Sequence, residues 1–195
     1  MKSLRRLSAF AVAASLALTP AFAQDAQQAA RKPTGPQVIK TFGGWDVRCF
    51  PASTQAPCDI WEAIAFKKGG QLAVSVSTVY VPSQDRYLMQ FIVPLGVDLA
   101  KGAELLSGSF TGGRIPFHHC DRIGCYFGIG NANNVVDALK NQETLKVRLY
   151  QFRGKSVDLT VPLKGFEEAR TAMIDLAKQK AGKAPPAPVS GSPAP

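Results

Sequence analysis

His118-His119-Cys120-Asp121, with Cys125 close behind, is the stretch of the chain whose residue types could hold a metal or do nucleophilic chemistry. Imidazole nitrogen and thiolate sulfur are the donors that zinc and copper favour. The spacing argues against such a centre. A cysteine in a disulfide has no thiolate to give, and adjacent residues on a strand point to opposite faces, so one site could hardly use both histidines. Cys120 and Cys125 have four residues between them, whereas a thioredoxin-like redox pair has two and sits in a βαβ unit. His118 and His119 are therefore expected as surface or hydrogen-bonded side chains. Neither a metal nor a cofactor is expected.

Other catalytic patterns are missing from the sequence. It has no G-x-S-x-G elbow, no phosphate-binding glycine loop and no H-E-x-x-H. With two histidines in the whole chain, a Ser or Cys triad would have to use His118 or His119, and nothing local marks its partners. No pair of carboxylates stands out as an acid and base couple. The chain reads as a protein that is not an enzyme. Trp45 and Trp61 could serve contact if exposed beside Arg48 or Arg86, facing a protein or a glycan. In a sandwich of this size a Trp more often fills the core, and both are expected there.

The elements that would position these residues follow an export signal. Lys2, Arg5 and Arg6 precede an uncharged apolar run from Leu7 to Leu18, and Ala21-Phe22-Ala23 fits the small-x-small cleavage rule. Residues 1–23 are thus expected as a signal peptide. A spanning anchor would need about 20 apolar residues, and Thr19 and Pro20 interrupt this run. Removing those three cations takes the formal charge from +9 to +6. No run of five or six like charges offers a nucleic-acid footprint, so nucleic acid is excluded as a partner. All four cysteines lie beyond the signal segment. An even count in an exported chain argues for two disulfides. Three connectivities are possible; the short intervals, with Pro51, Pro57 and Gly124 in them, favour Cys49 with Cys58 and Cys120 with Cys125. Loops this short stabilise by about 2 to 3 kcal/mol each.

Residues 24–39 are rich in Ala, Gln and Pro and read as a flexible leader, and residues 182–195 as a Pro-rich disordered tail. Residues 40–181 then form one domain. Its strongest signals have period two. Leu72, Val74, Val76 and Tyr80 alternate with polar residues, as do Leu145, Val147 and Leu149, and then Val157, Leu159, Val161 and Leu163. Arg153-Gly154-Lys155 should turn the last two strands into a hairpin. Asp59 to Phe66 and Arg86 to Val93 are apolar on both parities, as expected of central strands. Turn residues between these segments suggest an antiparallel sandwich. A short helix is expected within Asn133 to Lys140, and a longer one from about Phe166 to Lys180 that turns Phe166, Ala169, Met173 and Leu176 to the core.

Several of these pieces together resemble a known family. They are Phe42-Gly43-Gly44-Trp45-Asp46-Val47-Arg48-Cys49, then Cys58, Pro94-Leu95-Gly96-Val97 with Gly102, Cys120 to Cys125 around Gly124, and Pro162-Leu163-Lys164-Gly165-Phe166 with Ala169. Their order and spacing over about residues 40 to 176 are similar to those of the invasion-associated locus B family of alphaproteobacteria. Its usual acidic residue before the Trp is here Gly44. The resemblance implies a mainly β, immunoglobulin-like antiparallel sandwich in an exported protein, periplasmic, associated with the outer membrane or secreted. Some members are linked to the invasion of host cells, and the family supplies no catalytic residues to carry over.

The reading that results is an exported binding protein with two local disulfides. Its partner would be a protein or an envelope component, with a host-cell surface as one setting. The candidate surface is Arg48, Arg86, Arg114, His118, His119 and Arg122. Two other classes compete with it: a small exported hydrolase or metal-dependent enzyme built on His118 or His119, and a structural factor for envelope stress or assembly.

Overall fold

Eleven strands form among the described residues: β1 (Gln37–Phe42), β2 (Trp45–Cys49), β3 (Cys58–Ala65), β4 (Leu72–Val81), β5 (Arg86–Val93), β6 (Ala103–Ser107), β7 (Phe110–Thr111), β8 (Phe117–Cys120), β9 (Cys125–Ile129), β10 (Thr144–Tyr150) and β11 (Ser156–Pro162). The structure is a computed structural model that describes residues 35–51, 55–152 and 154–181. The expected signal peptide, the leader as far as residue 34, the tail and Arg153 lie outside them.

Pairing is antiparallel throughout. A seven-stranded sheet runs in the order β1-β2-β3-β4-β5-β9-β8, and a four-stranded one in the order β11-β10-β6-β7. The layering is that of an antiparallel β-sandwich, while the run of five consecutive neighbours from β1 to β5 is a meander. Two helices complete it, α1 (Asn133–Leu139) and α2 (Phe166–Ala181).

Period two places the core. On the large sheet Trp45, Val47, Ile60, Val74, Val76, Phe91, Val93 and Phe127 are buried on the face turned to the small sheet and α2. Leu105, Leu145, Val147, Leu149, Leu159 and Val161 face them from the small sheet. The stretches that are apolar on both parities, β3 and β5, lie in the middle of the large sheet. The expected β10–β11 hairpin pairs from Thr144↔Pro162 to Tyr150↔Ser156. Each disulfide joins residues directly opposite one another in a ladder, Cys49 to Cys58 between β2 and β3 and Cys120 to Cys125 between β8 and β9.

Helix α2 lies along β1 to β4. Glu167 and Glu168 in its first turn and Lys178 and Lys180 in its last complement the helix dipole. Its buried stripe is Phe166, Ala169, Met173 and Ala177. Ala177 takes the place expected of Leu176, which is only partly buried. At about 100° per residue Ala177 and Leu176 fall at opposite edges of the stripe set by Phe166, Ala169 and Met173, and Ala177 is on the edge that is covered.

The join between α2 and the first hairpin depends on two glycines. Gly43 has φ +59° and Gly165 has φ +91°, a region that L side chains rarely adopt. A Cβ on Gly43 would overlap the Lys164 carbonyl, and one on Gly165 would overlap the Phe42 carbonyl. The two turns are thus in backbone-to-backbone contact. Beside them the Trp45 indole N–H donates to the Pro162 carbonyl (3.1 Å), and the Trp45 and Phe166 rings meet edge to face with centroids 5.0 Å apart.

Gly44 leaves room for the Glu62 carboxyl, which fills the space a Cβ there would need. Glu62 is 6% exposed, and its Oε2 has no hydrogen-bond partner. Burial raises its pKa from an ordinary 4.5 to about 7. A carboxyl that is hard to ionise in the folded state and easy to ionise in the unfolded one costs stability as pH rises between those two values.

One expectation needs correction here. The leader was bounded at residue 39, but β1 begins at Gln37. Gln37 to Thr41 are all exposed, so this edge strand is held by backbone pairing with β2 and carries no alternation to read. Strands β2, β6, β7, β8 and β9 have at most five residues each, too short for period two to stand out.

Gly165 and Gly96 offer a paired test. Both have φ near +90°, but nothing lies within 4 Å of a Cβ on Gly96. Gly96→Ala should cost about 1 kcal/mol from backbone conformation alone, and Gly165→Ala about 3 kcal/mol or more because backbone must also move. Denaturant midpoints of the two variants check this; equal losses would mean that the two turns are not in contact. For Glu62, Glu62→Gln should match the parent protein below pH 4.5 and become increasingly the more stable of the two as pH rises from 4.5 to about 7, with the full gap above that. The gap should reach roughly 1 to 3 kcal/mol. Melting temperatures across that range check the sign, and a gap that does not change with pH would refute it.

A candidate binding face on the large sheet

With α2 and the small sheet on its inner side, the large sheet turns its other face outward. One cross-strand row there is Trp61↔Ser77↔Gln90↔Gly128, on β3, β4, β5 and β9. The adjoining row is Arg48↔Asp59↔Val79↔Leu88. Their common orientation follows from the ladder registers.

Arg48 and Asp59 form the best-ordered cluster on this face. The guanidinium donates to both carboxylate oxygens, Nε at 3.1 Å and Nη2 at 2.5 Å, and Ser77 Oγ donates to the same carboxylate at 2.8 Å. Asp59 is buried, 1% exposed. The Arg48 guanidinium also lies 4.6 Å from the centre of the Trp61 ring, a cation–π geometry. Arg48 is therefore a paired charge. Trp61 was expected in the core, but it is partly exposed on the outer face of β3. An indole has enough apolar surface to be half covered by a stacked guanidinium as well as by a core. Trp45, by contrast, is fully buried.

Beyond Ser77 lies a groove of about 300 Å³. Val79 and Leu88 give it apolar walls, and Ser77, Gln90 and His118 bring polar groups. Gly128 sits across from Gln90 and contributes no side chain, and a Cβ there would come within 2.8 Å of the Met89 carbonyl oxygen.

The two histidines correct the expectation that they face opposite ways. The β8–β9 ladder pairs Phe117↔Phe127 and then His119↔Tyr126, with a register shift between Phe117 and His119. A bulge adds a residue and breaks the alternation. As a result His118 lines the outer groove, while His119 stacks on the outward Tyr126 ring, with centroids 4.4 Å apart and planes 10° from parallel. Tyr126 in turn donates to Asp121 Oδ2 (3.1 Å). Asp121 Oδ1 accepts from the backbone N–H groups of Ile123 and Gly124 in the hairpin turn. The Ile123 N–H leads in lowering the Asp121 pKa, while desolvation, then the bond to Asp121, raises that of Tyr126.

Of the six residues expected on one basic surface, the structure brings Arg48, Arg86, His118 and His119 to this side. Arg86 is partly buried at the start of β5, on the outward parity of Leu88 and Gln90. Arg122 is exposed in the turn between β8 and β9. Arg114 is elsewhere: its Nη2 lies 4.0 Å from Glu104 on β6 and its guanidinium 5.9 Å from the Tyr150 ring. Glu104 and Tyr150 are outward residues of the small sheet, so Arg114 belongs to the opposite face of the sandwich. Sequence separation carries no information about which sheet a loop residue joins, which is why it was grouped with the rest.

Leu88, Gln90, Tyr126 and Gly128 were not singled out from the sequence. The signal that could have found them is the apolar character of β5 on both parities, since one of its faces proves to be open. As for metal ligation, Cys120 and Cys125 are joined to each other. Among the described residues no group of three or more His, Cys, Asp and Glu is arranged to hold an ion, and no helix is long and apolar enough to cross a membrane.

Comparison with known proteins bears on this architecture. Residues 45–173 match the profile of the family described as invasion associated locus B protein. No curated protein matches the chain. Among solved structures, the crystal structure of invasion associated protein B from Bartonella henselae is similar, with a TM-score of 0.62 at 22% identity, over 71% of this chain and 97% of that one. At that identity the likeness concerns the fold.

Proposed function

The chain belongs to the invasion associated locus B family, and from that premise we propose that it is an exported protein that works by binding a macromolecular partner. The observation that carries the reading is the open outer face of the seven-stranded sheet. Trp61, Leu88, Ile92 and Tyr126 are only half buried there, where a sheet face meeting solvent alone would be polar. Aromatic and aliphatic side chains bordered by Arg86, Arg122 and His119 have the make-up of an interface core with a polar rim. Export is supported by the signal-like residues 1–23 and by two disulfides, which persist in oxidising compartments. The compartment is the periplasm, the outer membrane or the exterior. The partner is a protein or another envelope component, and a host-cell surface is one setting for it.

Catalysis has less to rest on. His118 and His119 do share a face, but the neighbouring cysteines are oxidised, and His119 is stacked against Tyr126.

The test compares two faces. Leu88→Gln combined with Arg122→Ala should lower retention on an envelope fraction about tenfold or more, while Arg114→Ala, on the opposite side, should leave it unchanged. Melting temperatures confirm that both variants are folded. Equal retention of all three proteins would remove this face from consideration. Intact mass adds a check on export: the exported chain should begin at Gln24 and carry both disulfides, and a chain still beginning at Met1 and confined to the cytosol would remove the export reading.

A further inference from the structure

We propose that the groove across β4, β5 and β9 binds a neutral oligosaccharide; the inference rests on the reading of this face as the binding surface and names its ligand class. Charge is the first argument. No Lys, Arg, Asp or Glu lines the groove, and the nearest ion pair, Arg48 with Asp59, is already closed on itself. A charged occupant would give up water without meeting a counter-charge. Arg86 on this face and Arg122 in the β8–β9 turn stand outside the lining.

The polar groups make the second argument. The Gln90 amide and the His118 imidazole offer both donors and acceptors, and the Ser77 hydroxyl, which donates to Asp59, keeps its acceptor lone pairs. Sugar hydroxyls, each a donor and an acceptor, satisfy such a set. An apolar peptide side chain would cover Gln90 and His118 and leave them unpaired, at a cost of about 1 to 3 kcal/mol each.

Shape gives the third. The walls of Val79 and Leu88 suit the C–H face of a pyranose ring. Gly128 keeps the floor low, and the groove's volume of about 300 Å³ is at the small end for ligand sites, enough for a unit or two of a longer chain. Aromatic rings stand at both ends of the run, Trp61 across from Ser77 and Tyr126 on the same outward parity as Gly128. Trp61 and Gly128 are three strands apart, about 14 Å, so further units of the chain would reach the flanking rings.

The experiment is an amide NMR titration of the exported, disulfide-intact protein with chitotriose, maltotriose and cellotriose as neutral probes, and with a heparin fragment as the charged one. Saturable shifts at Ser77, Gln90 and Gly128 with a neutral probe, unchanged between low and high salt, are expected. Gln90→Ala and His118→Ala should each weaken that binding about fivefold while leaving the rest of the spectrum in place. No saturable shift with any neutral probe overturns the proposal, as do shifts produced only by the heparin fragment and abolished by salt. The two readings fail separately. If the sugars do not bind but Leu88→Gln with Arg122→Ala still loses envelope retention, the face binds a protein. If retention is also unchanged, the binding face itself is wrong.

Discussion

The backbone contact between the β1–β2 turn and the turn that starts α2 is the constraint on which the rest of the molecule depends. Gly43 and Gly165 each lie against a carbonyl of the other turn, an approach that no Cβ allows. With the turns in contact, Trp45 reaches the Pro162 carbonyl and Phe166 reaches the Trp45 ring. Helix α2 is thereby laid along β1 to β4. Without it, the inner ends of Trp45, Val47 and Ile60 would face water, and burying a large apolar side chain is worth about 1.5 to 3 kcal/mol. Two motifs more than a hundred residues apart, Phe42-Gly43-Gly44-Trp45 and Pro162-Leu163-Lys164-Gly165-Phe166, are thus one structural unit. Glu62 is the cost of this closeness, a carboxyl held without a partner behind Gly44.

The same arrangement decides where function can sit. Helix α2 and the small sheet both pack on one side of the large sheet, and nothing among the described residues packs on the other. That side is organised by local chemistry. Asp59 is buried by Arg48, which is stacked on Trp61 and leaves no free charge at that end. At the other end the β8 bulge turns His118 outward beside Gly128, and the Asp121 turn holds Tyr126 under His119. Between these ends lies a groove with apolar walls and neutral polar groups, in a frame that two cross-strand disulfides staple. Side chains locked by their neighbours lose little entropy on binding, which favours recognition by a preformed surface.

Some of the candidate face was legible in the sequence and some was not. Arg48, His118 and His119 could be singled out because unusual residue types announce themselves. Their roles could not. Arg48 is neutralised by a residue on the next strand, and the histidines share a face because of one inserted residue in a ladder. Gln90 and Gly128 are ordinary residues and become a site only when β5 pairs with β9, across a stretch of chain that visits the other sheet in between.

What the sequence by itself determined was local. Period two set the strands β4, β10 and β11, apolar character on both parities set β3 and β5, helical spacing and end charges set α2, and cysteines a few residues apart set the two disulfides, because each of these depends on neighbours in the chain. Only the tertiary structure decided the order of seven strands in one sheet, the docking of Gly43 on Gly165, the exposure of Trp61, and the separation of Arg114 from Arg48, Arg86, His118 and His119. These depend on which surfaces meet across long intervals of chain, and hydrophobic burial specifies that a face be covered without saying by what.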